Sequence, residues 1–326
     1  METEETNEFA SRTDLADIKN KIDQLAAGIS RTIVGQAELI EQLIICLVAD
    51  GHVLLEGVPG IAKTLSAKTM ARMIKADFGR IQFTPDLMPS DVLGTSVYNM
   101  KVNEFEFKKG PVFTNVLLID EINRAPAKTQ AALFEVMEER QVTVDGTTND
   151  MGQLFFALAT QNPIEQEGTY RLPEAQLDRF LFKILVDYPN LEEEIDILNH
   201  HHKPNSDGKP TEAVLDTADI VSLRQTVKNV IVEDKLMKYI AELVQKTRQS
   251  ADLYLGASPR ASIAVLSTAK VKAVMAGRDF VTPEDIQSVV LPALRHRVIL
   301  SPESEMEGMT TDEVISRILN QVEVPR

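Results

Sequence analysis

The chain has 326 residues, 44% of them hydrophobic and 25% charged. That is enough apolar material for packed cores and, at ~100–200 residues per domain, for two domains; a wholly disordered chain is excluded. Acidic residues outnumber basic ones 49 to 34, a formal net charge of −15, which argues against gripping nucleic acid by bulk charge. No stretch reaches the ~20 apolar residues of a membrane span. The N-terminal Met1–Phe9 is acidic, unlike a secretory leader, and the single cysteine, Cys46, cannot close an intrachain disulfide. A cytoplasmic protein is the expectation.

Residues 1–12 are polar and without periodicity, and read as a disordered tail. From Leu15, apolar residues at Ile18, Ile22, Leu25 and Ile29 predict one helix, and Leu39, Ile40, Leu43, Ile44 and Leu47 predict a second. Short apolar runs then alternate with helical segments. His52–Leu55, Arg80–Phe83, Val116–Ile119, Leu154–Thr160 and Leu181–Val186 read as buried strands, with helices around Thr64–Ile74 and Ala127–Glu139. Such alternation indicates a parallel sheet with helices on both faces. Two segments, Ser96–Phe107 and Gln141–Met151 with its Asp145-Gly146 turn, read as hairpins. After Asp187 the texture changes: Asn199–Thr211 reads as a polar loop, followed by helices over Thr217–Val230, Glu233–Ser250, Ser258–Ala276, Thr282–Arg297 and Thr311–Val322. The division expected is an α/β domain over residues 13–187 and an all-helical domain over 188–326.

The first strand runs directly into Gly57-Val58-Pro59-Gly60-Ile61-Ala62-Lys63-Thr64, followed by Leu65. Strand, glycine-rich turn and helix form the P-loop pattern: backbone N–H groups cradle phosphates, Lys63 reaches the β and γ oxygens, and the Thr64 hydroxyl helps hold Mg2+. Ala62 stands where that pattern has glycine, which is tolerable where the backbone is already helical. A later strand, Val116–Ile119, ends in Asp120-Glu121. Ligands of parallel α/β sheets bind at the C-terminal ends of strands, and side chains alternate along a strand, so the two acids have separate roles. Asp120 is placed to support magnesium and Glu121 to polarise an attacking water. A nucleoside triphosphate is the expected ligand.

Gly51–Phe182 resembles the AAA+ ATPases, specifically the MoxR family. The resemblance rests on His52-Val53-Leu54-Leu55-Glu56-Gly57-Val58-Pro59-Gly60, Phe83-Thr84-Pro85-Asp86-Leu87-Met88-Pro89-Ser90-Asp91, Leu118-Ile119-Asp120-Glu121-Ile122-Asn123-Arg124-Ala125-Pro126, Ala159-Thr160-Gln161-Asn162-Pro163 and Leu177-Asp178-Arg179-Phe180, together with Ser258-Pro259-Arg260 in the helical part. It implies a P-loop AAA+ α/β domain followed by a helical lid, with ATP and Mg2+ as cofactors. Asn162 matches the sensor-1 position that orients water beside Glu121, and Arg179 matches an arginine finger into a neighbouring subunit, with Arg171 as its rival. Arg260 matches sensor 2, which couples the lid to the γ-phosphate. Ile33, Val34 and Gly35 match the segment against adenine; Ser96–Phe107 matches the insert that interrupts the second helix and Gln141–Met151 the hairpin before sensor 1, each a candidate for partner contact or simple surface decoration.

The activity implied is ATP hydrolysis by a chaperone-like remodelling factor. It would act as a ring, a hexamer, on protein partners or metal-cofactor assembly, with von Willebrand A domain proteins among the partners. Three other readings stand beside it: a magnesium-chelatase-like ATPase subunit, a nucleotide-gated binder with negligible turnover, and a DNA-translocating motor, against which the acidic charge counts. His200-His201-His202 are read as solvated loop residues, because adjacent helical side chains diverge by about 100° and do not converge on one ion.

Overall fold

The computed structural model describes residues 15–57, 63–163, 170, 172–202 and 212–325. The expected tail, the glycine-rich turn from Val58 to Ala62, Arg171 and most of the polar loop lie outside them. The chain opens with α1 (Ala16–Ser30) and α2 (Ala37–Val48), then β1 (His52–Gly57), α3 (Lys63–Met73), β2 (Phe78–Gln82) and α4 (Pro89–Leu93). A hairpin of β3 (Gly94–Asn99) and β4 (Glu104–Lys109) precedes β5 (Val116–Asp120) and α5 (Ala127–Glu139). A second hairpin, β6 (Gln141–Val144) and β7 (Thr147–Asp150), precedes β8 (Phe156–Gln161), α6 (Glu174–Leu177) and β9 (Phe180–Val186). The remainder is α7 (Leu191–His202), α8 (Thr217–Lys228), α9 (Asp234–Gln249), β10 (Leu253–Leu255), α10 (Pro259–Met275), α11 (Pro283–Leu294), β11 (Ile299–Leu300), α12 (Pro302–Met306) and α13 (Thr311–Gln321).

Five strands form one parallel sheet in the order β2-β5-β8-β1-β9. Side-chain alternation divides its apolar residues between two cores. Val53, Leu55, Val116 and Leu118 face α1, α2, α3 and the C-terminal helices. Leu54, Leu117 and Ile119 face the other way, with Leu133, Phe134 and Met137 of α5. The central strands β1, β5 and β8 are therefore buried on both faces, which is why they read as continuous apolar runs, whereas the edge strand β2 buries only Ile81 and exposes Arg80 and Gln82. Helices α1 and α2 share one continuous core with α8, α10 and α11, so packing is uninterrupted between the sheet and the lid.

Two helices differ from expectation, α11 in its end and α7 in being present at all. Helix α11 stops at Leu294, three residues before Arg297, with Pro292 in its last turn. The residues past its end reach back to β9, an edge strand with unpaired carbonyls. Arg295 donates to the Lys183 carbonyl at 3.3 Å, His296 bonds the Phe180 carbonyl at 2.9 Å, and Arg297 donates to the Leu181 carbonyl at 3.0 Å. The lid thus satisfies and covers a sheet edge that would otherwise be exposed. Helix α7 occupies part of the expected polar loop and runs through His202; the side chains of His200 and His201 lie outside the described residues. Its start carries a capping box, with Asn190 Oδ1 accepting from the Glu193 N–H at 3.0 Å and Glu193 Oε2 accepting from the Asn190 N–H at 2.8 Å.

Candidate nucleotide site

Strand β1 lies where the sheet order reverses, with β8 on one side and β9 on the other. Its C-terminal end is the usual ligand crevice of an open α/β sheet. Gly57 closes the strand so near β9 that a Cβ on it would lie 2.4 Å from the Val186 carbonyl oxygen. Lys63 opens α3, where the helix N-terminus attracts anions. Its ammonium donates to the Gly57 carbonyl, and partial burial lowers its pKa while Asp120, Glu56 and Glu121 pull the other way. Thr64 and Leu65 follow on the exposed side of the first turn.

Asp120 is buried at the end of β5. Its carboxylate accepts from Arg80 Nε at 2.7 Å and from Thr160 Oγ1 at 3.3 Å. Glu121 adopts a left-handed conformation (φ 56°, ψ 52°), which is uncommon for a residue with a Cβ and frequent at functional positions. Its N–H donates to Thr160 Oγ1 at 3.0 Å, and its carboxylate accepts from Gln82 Nε2 at 2.8 Å and pairs with Arg124 Nε at 3.1 Å. One threonine therefore fixes both acids, and two side chains of β2, two residues apart and on one face, hold one acid each. Asn162 follows the end of β8, between β1 and β5, and the pairing of Glu56 with Gln161 sets it level with Gly57. Lys63, Asp120, Glu121 and Asn162 thus share one end of the sheet.

Beside that end lies a cleft of about 540 Å³ lined by Ile33, Val34, Gly35, Val186, Tyr188 and Glu193, among others. Its size suits a small ligand. Gly35 has φ 76°, and a Cβ there would meet the Glu193 side chain at 2.5 Å. Among the described residues no group of three or more His, Cys, Asp or Glu side chains is disposed to hold a metal. A magnesium ion that travels with a nucleotide needs no such cage, because one or two carboxylates, phosphate oxygens and waters complete its shell. The Thr64 hydroxyl and the Asp120 carboxylate are the donor set that fits it.

The two arginines lie elsewhere. Arg179 precedes β9, whose first residue Phe180 pairs with His52 at the start of β1, whereas Val186 pairs with Gly57. Seven residues of strand separate the two ends, about 20 Å. Arg179 Nε pairs with Glu138 at 3.0 Å, and Arg260 Nη2 donates to the other Glu138 oxygen at 2.6 Å. Glu138 is in the last turn of α5, and the preceding Met137 carbonyl bonds His52 Nε2 at 3.0 Å, which fixes this cluster at the N-terminal end of the sheet. Asp178 lies beneath it, accepting from Ser258 Oγ at 2.9 Å and from buried Arg297 Nε at 2.7 Å. The structure therefore brings Arg179 and Arg260 to each other and away from Lys63 of the same chain.

Arg80, Gln82, Thr160, Glu138 and Glu193 were not singled out from the sequence. The Arg80/Gln82 alternation on β2 and the Asn190-to-Glu193 capping pattern were available signals; Glu138 gave none.

The family model "ATPase family associated with various cellular activities (AAA)" matches residues 52–182, and the AAA lid domain model matches residues 245–318. Chaperone MoxR1 of Mycobacterium tuberculosis is 45% identical, covering 91% of this chain and 81% of its own. The chain belongs to the MoxR family of AAA+ ATPases. The uncharacterized protein YeaC of Bacillus subtilis is 47% identical over 95% of this chain and 96% of its own length. A solved structure from Cytophaga hutchinsonii, described as a candidate ATPase, superposes with a TM-score of 0.89 at 44% identity, covering 96% of this chain and 97% of that one. The family implies ATP binding, and the helical C-terminal part is the AAA lid. Among the described residues no helix is long and apolar enough to cross a membrane.

Proposed function

We propose that the protein hydrolyses ATP as a ring of identical subunits and uses the cycle to remodel protein partners. The observation that carries this reading is the separation of the two half-sites. The phosphate-binding lysine and the two acids occupy the C-terminal end of the sheet, while Arg179 and Arg260 occupy the other, about 20 Å away. Arginines so placed serve a nucleotide only in the next subunit, and a head-to-tail contact of that kind generates a ring when its rotation closes. Six subunits is the ring size that the MoxR resemblance implies.

In this reading Lys63 binds the β and γ phosphates, Thr64 and Asp120 hold Mg2+, and Ile33, Val34 and Gly35 lie against the adenine. When bound, Mg2+ neutralises charge on the phosphate oxygens. Glu121 takes a proton from the attacking water while the Asn162 amide orients that water, and the neighbour's Arg179 and Arg260 meet charge developing on the γ-phosphate. The α/β and lid units, divided near residue 187, then shift relative to one another through differential contacts with ATP and ADP. Protein clients are inferred from the M. tuberculosis relative, which is named a chaperone. The β3–β4 hairpin, which exposes Met100 and Phe105 at its tip and is tied to the second hairpin by Ser96 and Asp145, is the surface proposed to meet them.

The deciding measurement is magnesium-dependent phosphate release per subunit across a wide range of protein concentration, with sedimentation in parallel. A specific rate that climbs with assembly and then levels supports a site completed by the neighbour. A rate that stays constant while the chain assembles from monomers overturns it.

A further inference from the structure

Glu138 takes no part in the ATP chemistry above, yet among the described residues it is the one group that pairs with both arginines. Its Oε2 pairs with Arg179 Nε at 3.0 Å and its Oε1 with Arg260 Nη2 at 2.6 Å. The backbones carrying these arginines are already fixed from below. Asp178, next to Arg179, holds Ser258, the N-cap of α10 two residues before Arg260, and is itself held by Arg297, whose side chain is 4% exposed. The long side chains are another matter. Two guanidiniums brought to one place repel each other, and each loses rotamer freedom when held.

The cluster is half-exposed, with side-chain accessibilities of 31% for Arg179, 52% for Arg260 and 33% for Glu138. Ion pairs at such exposure add little to fold stability. A carboxylate bridging two surface arginines from different structural units, strand end and lid, therefore calls for a role other than holding the fold. Each guanidinium engages Glu138 through a single nitrogen, and a five-donor fork has further N–H groups to offer a phosphate.

We propose that Glu138 is a positioning residue that presents Arg179 and Arg260 as a pair to the γ-phosphate bound by the adjacent subunit. The proposal deepens the ring reading above and rests on it. Glu138 supplies the counter-charge that lets two cations stand together, and it sets their spacing before the neighbour arrives. It acts on the next subunit's site and not on its own.

The test is Glu138→Gln, which keeps the shape and removes the charge, assayed alone and mixed with Lys63→Ala subunits. Alone, the variant is expected to lose about 10- to 100-fold in kcat, the scale of an ångström-level misplacement of catalytic groups, with KM for ATP nearly unchanged. In mixtures, Lys63→Ala subunits lend intact arginines to Glu138→Gln sites and activity returns; a purely structural defect would not be repaired by a neighbour. A kcat equal to that of the unmodified chain, or a fall that mixing does not repair, overturns the proposal. Arg179→Ala mixed with Lys63→Ala is the parallel control. Its recovery shows that trans complementation works, so failure of Glu138→Gln then counts against Glu138 alone. No recovery in that control removes the ring reading and the proposal with it.

Discussion

Gln82 Nε2 donates to Glu121 Oε2 at 2.8 Å, and Arg124 pairs with the same oxygen. The carboxylate proposed to activate water is thus turned toward β2 and engaged by two donors. Replacing Gln82 by alanine frees one side of Glu121, and basal ATP hydrolysis is expected to rise several-fold, within the range of one hydrogen bond to a charged group. Steady-state phosphate release checks this. A fall in rate would instead mean that Gln82 holds Glu121 in its working position.

Glu121→Gln leaves Lys63, Thr64 and the cleft intact and removes the proton acceptor. ATP binding is expected to persist while turnover falls about 10²- to 10⁴-fold, the usual contribution of a general base. Equilibrium binding of a fluorescent ATP analogue and single-turnover hydrolysis separate the two. Turnover near the unmodified rate would remove Glu121 from the base role.

The central strands β1, β5 and β8 are legible because both of their faces are buried: such short apolar runs can be recognised without knowing their neighbours. Helix α5 falls where the sequence places a helix, around Ala127–Glu139. Less legible were features made by distant residues. Helix α11 ends early because Arg295, His296 and Arg297 are drawn to the carbonyls of β9, more than a hundred residues back in the chain. Residues 63–65 and the Asp120-Glu121 pair were readable as a local motif. The alternation of Arg80 and Gln82 is visible in the sequence, but the acids they hold are not, since those partners come from register with β5. Glu138 looks like any solvated acid at a helix end until the fold brings Arg179 and Arg260 to it.

Gly57 is usually read as part of a phosphate-binding loop, but its packing alone forbids a side chain. A Cβ there would stand 2.4 Å from the Val186 carbonyl oxygen and 3.1 Å from the Val186 Cβ, and both strands are locked in the sheet. Gly57→Ala is expected to destabilise the fold by about 1–3 kcal/mol, the range for overpacking a close contact, and to weaken ATP binding by shifting the turn that follows. Thermal unfolding with and without ATP checks both, and an unchanged melting temperature would show that β9 yields without cost.

His52 lies at the opposite end of β1, buried, with Nε2 bonded to the Met137 carbonyl at 3.0 Å and Nδ1 accepting the Ala157 N–H at 3.1 Å. An acceptor at Nδ1 and a donor at Nε2 describe the neutral ring, and protonation would break the bond to Ala157. Burial lowers the His52 pKa to about 4, below the ~6.5 of an exposed histidine in the unfolded chain. The unfolded state therefore binds the extra proton first as pH falls. The contribution is fully present above pH ~6.5 and is lost as pH drops toward 4, about 3 kcal/mol in total. His296, also buried and shifted downward, acts in the same direction. Unfolding free energy measured from pH 7.5 to 4.5 should decline with this slope. His52→Gln should start from lower stability but lose less of it across the range, and an equally steep decline in the variant would place the titration elsewhere.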